Sequence, residues 1–347
     1  MKISRRSTLS AMSVVAGAIA TGLPAFAQAA VRDRQVMAFY YGWYGTLAGS
    51  GTPLHWPAQD GQPSPTPIFD HPLSGPYDSH DPDVIHRHAQ QLKDAGVTVI
   101  IVSWWGIGSF TDQSLALLMD AMHAQGIKVT VYFEPGTETT SQAAATEAMT
   151  YLVRRHGDHP AWFKVGGRSA LFVYEVSWKR RLPPMQWRAA ADAVMQAGLP
   201  RPLLIGDLNP RYGTFPEIAP AFDGLHTYVM APYVTGLSPT EIGAYTDKNY
   251  PKWKAAAGSG IYCATVIPGF DDTNAPGRPQ PRPVVARNGT GTFDALWRAA
   301  IKTNPNWVLI TSFNEWHEGS EIEPSQEYGD TFIKRNRYWS DRFLGKS

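Results

Sequence analysis

Two glutamates three positions apart, Glu315 and Glu318, enclose Trp316 and His317 and run out at Gly319. Paired carboxylates with an indole and an imidazole between them are the residue types for acid and base work on a sugar, one group giving a proton while the other takes one. Leading into them is Trp307–Phe313, apolar, β-branched and without charge. Such a run predicts a strand buried on both faces. A buried strand that ends in acids, an amide (Asn314) and aromatics is what an α/β barrel carries at its C-terminal face, where that fold keeps its chemistry.

The elements needed to hold those residues can be read along the chain. Apolar runs at Val36–Tyr41, Val97–Trp105, Lys128–Glu134, Ala170–Glu175, Pro202–Leu208, Gly224–Met230, Ile261–Pro268 and Trp307–Phe313 alternate with helical spacing at Pro82–Ala95, Asp112–Gln125, Gln142–His156, Met185–Ala197, Pro239–Ala257 and Thr292–Thr303. The connection Asn209–Asp223 is short and rich in Pro and Gly, with no clear helix. Strand followed by helix about eight times over predicts a single (β/α)8 barrel of the TIM type in one α/β domain. The runner-up is an open doubly wound sheet, but no Gly-rich phosphate loop follows the first strand. Two long connections, Thr46–Ser79 and the Arg- and Pro-rich Asp271–Asn288, follow strands one and seven and are expected to fold over the catalytic face.

The strand ends give a consistent set. Tyr40, Tyr41, Trp43 and Tyr44 end the first; Ser103, Trp104 and Trp105 the second; Tyr132 and Glu134 the third. Tyr174 and Glu175, Asp207, and His226 with Tyr228 end the next three. Aromatic platforms and carboxylates on one rim fit a sugar cleft. Side chains alternate along a strand, so only one of Trp104 and Trp105 can face inward, and Tyr40 and Tyr41 pose the same choice.

Composition narrows the class. The 347 residues carry 31 Lys and Arg against 30 Asp and Glu, which leaves no electrostatic footprint for nucleic acid. Arg5-Arg6 precede a modest apolar run from Met12 to Leu23 and the small-x-small Ala25-Phe26-Ala27. That pattern predicts a twin-arginine-type signal peptide over residues 1–29, a barrel domain over 30–347, export to the periplasm or beyond, and no membrane contact once the leader is removed. Cys263 is the only cysteine, so no internal disulfide can form. No His-Glu-x-x-His set and no Gly-x-Ser-x-Gly elbow is present, so neither a metal, a cofactor nor a serine nucleophile is expected.

Taken together, Ser312-Phe313-Asn314-Glu315-Trp316-His317-Glu318-Gly319 with Ile322-Glu323 resembles the signature of glycoside hydrolase family 99, the endo-α-1,2-mannosidase/mannanase family. The resemblance extends to Phe39-Tyr40-Tyr41-Gly42-Trp43-Tyr44, Val102-Ser103-Trp104-Trp105-Gly106, Phe133-Glu134-Pro135 and Asp223-Gly224-Leu225-His226-Thr227-Tyr228. It departs at Gly136, where the family commonly continues with an aromatic, and in the block Pro268–Thr273. The resemblance implies a metal-independent, retaining barrel enzyme that cuts α-mannosidic linkages within a mannan or mannose-rich glycan through a 1,2-anhydro sugar; a monomer is expected. It implies Glu315 as the base on the sugar 2-hydroxyl and Glu318 as the acid/base. It also places Tyr40 or Tyr41, Trp104 or Trp105, Glu134, Tyr228 and Asn314 around the donor sugar, with Arg287 as the substrate-contacting arginine and His317 beside the acids. Rival readings are a silent glycan-binding barrel, a glycosidase of the same fold acting on another polysaccharide, and a metal-dependent hydrolase built on His317.

Overall fold

The computed structural model describes residues 33–57, 68–136, 139–176, 182–209, 215–275 and 277–346. The leader read at residues 1–29 lies outside them. Eight strands, β1 (Gln35–Tyr40), β2 (Val99–Trp104), β3 (Lys128–Phe133), β4 (Arg168–Val173), β5 (Leu203–Asp207), β6 (Gly224–His226), β7 (Ile261–Val266) and β8 (Trp307–Ile310), pair in parallel around a ring. β1 pairs with β2 through Met37↔Val99 and with β8 through Gln35↔Trp307, and the ring closes where β3 meets β4 at Tyr132↔Phe172. The helices α1 (Pro82–Asp94), α2 (Phe110–Ala124), α3 (Gln142–His156), α4 (Pro184–Gln196), α5 (Phe215–Ile218), α6 (Pro239–Ala257), α7 (Gly291–Thr303) and α8 (Thr331–Leu344) follow the strands in turn. This is the (β/α)8 barrel that the alternation predicts.

Two apolar layers follow from the period-two alternation of β-branched and aromatic residues. On β1, Met37 and Phe39 point into the barrel with Val99, Ile101, Phe172, Ile205 and Leu309. Val36, Ala38 and Tyr40 point outward with Ile100, Val102 and Trp104, against the helices. Fully burying residues of this size stabilises the fold by about 1.5–3 kcal/mol each. Cys263 lies free and buried in the inner layer.

Helices start where short polar side chains take up their free N–H groups. Asp81 accepts from Asp83 N, Ser109 from Asp112 N and Ser141 from Ala144 N, while Ser238 and Glu241 form a reciprocal capping box. These caps fix the point at which each loop on the strand C-terminal side must end.

The fold differs from the sequence expectation in two places, the last helix and two added ribbons. α8 has no counterpart in the expected helices, yet it closes the ring: Asn336 Nδ2 donates to Ala95 O over 2.8 Å and Ser340 Oγ to Gly96 O over 2.7 Å, behind α1. On its other side Arg335 and Trp339 Nε1 bind Asp294 of α7. Asn209–Asp223, expected to carry no clear helix, holds among its described residues only the four-residue α5 and a 3-10 turn at Ala219–Ala221. Two short antiparallel ribbons are added, Lys164–Val165 on β4 and Phe270–Asp271 with Val284–Val285, the latter at the base of the Asp271–Asn288 loop. Among the described residues no helix is long and apolar enough to cross a membrane.

Candidate active site

A cleft of about 370 Å³ opens at the C-terminal ends of the strands. It is lined by Tyr41, Trp43, His55, Trp105, Tyr132, Glu134, Tyr174, Tyr228, Arg278, Glu315, His317 and Glu318. Strand parity explains most of this list. Tyr41 continues the inward series Met37–Phe39, Trp105 the series Val99–Ile101–Ser103, and Tyr174 the series Ala170–Phe172. Tyr40 and Trp104 belong to the opposite parity.

The segment that carries Glu315 and Glu318 begins where β8 stops. Ser312 N donates to Ser320 O over 2.8 Å instead of extending the ladder, so the chain loops back on itself. Ser312 Oγ then accepts from Glu315 N over 2.7 Å, and one oxygen of the Glu315 carboxylate accepts from His317 N over 3.1 Å. Gly319 ends the segment with φ +53°, and a Cβ there would lie 2.9 Å from Phe69. Only glycine meets both conditions without strain.

Around the acids, Tyr41 and Tyr228 share a short hydroxyl–hydroxyl hydrogen bond, and Tyr228 OH reaches Glu318 Oε2 at 3.5 Å. Ser103 Oγ donates to Glu134 Oε1 over 2.9 Å and accepts from Trp105 Nε1 over 3.1 Å, which fixes carboxylate and indole together. Trp43 stacks on His55 with ring centroids 4.4 Å apart. Burial, then the neighbouring His317, holds the His55 imidazole down to about 4, so it is neutral near pH 7.

The two glutamates have different electrostatic settings. Burial raises Glu315 well above the ordinary carboxylate range, with the Glu318 charge adding to it. Burial raises Glu318 as well, but Arg278 opposes this: its Nη1 donates to Glu318 Oε1 over 3.0 Å. Arg278 also ion-pairs with the fully buried Asp272, which Arg282 grips from another side. Arg278, hydrogen-bonded to Glu318, therefore favours the charged form of that carboxyl in the free protein. Beneath the cleft, Asp207 accepts from Tyr228 N over 2.7 Å and from Glu175 N over 3.1 Å, so it ties the ends of β4, β5 and β6 together. Burial raises its carboxyl to about 7.

Of the residues singled out in the sequence, the structure gathers Tyr41, Trp105, Glu134, Tyr228, Glu315, His317 and Glu318 in the cleft. Four lie elsewhere. Tyr40 faces α1, its hydroxyl 3.0 Å from His88 Nδ1. Trp104 faces α2, where its Nε1 donates to Asp112 over 2.9 Å. Asn314 is buried behind Tyr41, bonded to both its backbone N and O. Arg287 is buried in an ion cluster with Asp70 and Glu321, flanked by the Tyr328 and Phe332 rings, and Arg278 occupies the cleft in its place. A buried guanidinium with two carboxylates to balance is a tie between loops, and both its Nη atoms donate within that cluster. Sequence reasoning singled out neither Arg278 nor His55, since both sit in loops without period. The one available signal was the arginine content of the Asp271–Asn288 loop.

Comparisons with known proteins point to one family. The model of Glycosyl hydrolase family 99 matches residues 31–331. Glycoprotein endo-alpha-1,2-mannosidase of Mus musculus is 26% identical over 88% of this chain and 74% of its own length. The Homo sapiens glycoprotein endo-alpha-1,2-mannosidase-like protein is likewise 26% identical, over 88% and 75%. A solved endo-alpha-mannosidase of the family from Bacteroides thetaiotaomicron superposes with a TM-score of 0.73 at 29% identity, over 90% of this chain and 97% of that one. With two carboxylates in an aromatic cleft at the C-terminal face of the barrel, and a family match running from before β1 to the start of α8, this chain is a glycoside hydrolase that belongs to glycosyl hydrolase family 99.

Proposed function

We propose that this enzyme cuts α-mannosidic linkages within a mannan or mannose-rich glycan, without a metal and with retention of configuration. The observation that carries the reading is the enclosure of Glu315 and Glu318 in one cleft with Glu134, Tyr41 and Tyr228. The names of the relatives supply the sugar.

In the first step Glu315 takes the proton of the 2-hydroxyl. That oxygen attacks C1 from the face opposite the leaving oxygen, closing a 1,2-anhydro ring. The C1–O bond to the leaving sugar breaks, and its oxygen takes the proton of Glu318. In the second step Glu318 accepts a proton from water, the hydroxide oxygen attacks C1, the three-membered ring opens, and Glu315 returns its proton to O2. Two inversions give net retention, and each glutamate ends as it began. Glu318 starts this cycle as the acid, whereas Arg278 favours its charged form in the free protein. A leaving-side sugar hydroxyl that draws the Arg278 donors away supplies the change, since removing a cation lets the proton settle on Glu318.

The test is a product assay on α-mannan and mannose-rich glycans with chelator present, the product anomer being read by NMR. Retained oligosaccharide product from the wild type, with turnover lowered about 10²–10⁴-fold in Glu318→Gln and Glu315→Gln, is the expected result. An inverted product, or a Glu318→Gln protein at full turnover, would end the proposal. Export through the predicted leader is part of the same reading. The mass of the protein recovered from its native periplasm checks it, a mature chain lacking about the first 29 residues being expected.

A further inference from the structure

We infer that Tyr77, outside the cleft on the loop between β1 and α1, is the positioning residue for both catalytic glutamates. The inference rests on the acid/base reading of Glu315 and Glu318 given above. Tyr77 is buried, and its hydroxyl sits where the two residues flanking Glu315 converge. Asn314 Nδ2 donates to it over 3.1 Å and Trp316 Nε1 over 3.2 Å. Its own proton goes to Glu323 Oε2 over 2.8 Å.

Behind Tyr77 the network continues through a buried carboxylate and an imidazole. Glu323 Oε1 lies 3.0 Å from His88 Nε2, and His88 Nδ1 lies 3.0 Å from the Tyr40 hydroxyl. A carboxylate can only accept, so His88 donates to Glu323 from Nε2, and its Nδ1 is engaged with the Tyr40 hydroxyl. Tyr77 donates to the other oxygen, and both acceptor sites of its phenol oxygen are left for Asn314 and Trp316. A hydroxyl that gives its proton to a carboxylate is a stronger acceptor, because successive hydrogen bonds polarise one another away from water.

Two connections lead from that oxygen to the chemistry. One is covalent: with Asn314 and Trp316 both held at Tyr77, the peptide units on either side of Glu315 are fixed. Tyr44 reinforces them, donating from its hydroxyl to Asn314 O over 3.0 Å and accepting from Trp316 N over 3.2 Å. The other runs through Asn314, whose second N–H donates to Tyr41 O over 2.9 Å and whose Oδ1 accepts from Tyr41 N over 2.7 Å. That grip sets the height of Tyr41 in the cleft, and the Tyr41 hydroxyl bonds Tyr228 beside Glu318. A buried tyrosine that only fills space needs one partner for its hydroxyl. Tyr77 has three, and two of them belong to the segment that carries the acids.

The experiment compares Tyr77→Phe, Glu323→Gln and the double variant with wild type in the full chain, on the mannan that wild type cleaves. Asn336→Ala, which removes a buried hydrogen bond between α8 and α1, is the control for destabilisation alone. Displacement of a reacting group by about 1 Å costs on the order of 10²-fold in rate. Tyr77→Phe is therefore expected to lower kcat at least about tenfold with KM near wild type, and to move the pH profile of kcat. Glu323→Gln should do the same more weakly, and the double variant should be no worse than Tyr77→Phe, since the two act through one oxygen. Asn336→Ala should lower Tm and leave kcat and its pH profile unchanged. A Tyr77→Phe enzyme with wild-type kcat and pH profile, or one whose loss merely tracks its Tm as in Asn336→Ala, would overturn the inference. Should Tyr77→Phe fail to fold, Glu323→Gln decides by the same two criteria. Failure of the acid/base reading looks different: Glu315→Gln itself would then keep its turnover.

Discussion

The Arg278 guanidinium donates to Glu318 Oε1 over 3.0 Å, while Glu315 accepts only a backbone N–H, that of His317, as its nearest described donor at 3.1 Å. One acid of the pair is thus held by a cation and the other by a peptide. A positive neighbour favours the charged carboxyl, so replacing it must raise the affinity of Glu318 for its proton. Arg278→Met is expected to shift the alkaline limb of the kcat/KM profile to higher pH, and to lower kcat/KM at its optimum. A pH–rate profile on wild type and variant checks it; an unmoved limb would mean that Glu318 is not the group titrating there.

The parity of β2 separates its two tryptophans. Trp105 lines the cleft and Trp104 is sealed against α2. Trp105→Ala should raise KM by roughly fivefold, the loss of about 1 kcal/mol of stacking, with little change in Tm. Trp104→Ala should cost about 3–5 kcal/mol of stability and leave KM near wild type. Denaturant melts beside initial rates tell the two apart, and the reverse pattern would mean that the strand register is wrong.

Arg287 neutralises Asp70 and Glu321 without reaching the cleft. Arg287→Met leaves two buried acids facing each other and should cost about 3–5 kcal/mol, read as a lowered midpoint in urea. KM should stay near wild type, in contrast to Arg278→Met.

Asp207 sets a pH slope on stability. Its carboxyl is raised by burial to about 7, against an ordinary value of 3.8. The folded chain therefore holds a proton that the unfolded chain has released over that interval. Its contribution is complete below about 4 and is lost as pH rises through about 7. Asp207→Asn should flatten the decline in unfolding free energy between those limits. Urea titrations at several pH values measure it, and an unchanged slope would assign the decline to other groups.

How much of this was legible in the sequence depended on where a residue sat relative to a periodic element. All eight strands could be placed because their runs are largely apolar or aromatic, β6 being the shortest at Gly224–His226, and Glu315 and Glu318 stood out because they follow one of them. The choice between Tyr40 and Tyr41 needed the direction of β1, which alternation alone does not give. α8 was missed because its buried face carries Asn336 and Ser340 among Phe332, Ile333, Trp339 and Phe343, which dilutes the helical period. Arg278 and Arg287 lie in one irregular loop with the same residue type. Only the fold decides that the first points at Glu318 and the second at Asp70.

The pairing of β1 with β8 has a consequence for how the enzyme comes into being. The Tyr41–Asn314 hydrogen bonds join segments 273 positions apart, and Gln35 opposes Trp307 across the same seam. During synthesis, β1 through β7 emerge as an open, twisted sheet whose two edges have no partner until β8 arrives. Ring closure and assembly of the cleft are then one event, of high contact order, which links the slowest step of folding to the birth of activity. A nascent chain halted before β8 would hold nine of the twelve tryptophans and neither Glu315 nor Glu318, with its two exposed edges open to capture by a chaperone.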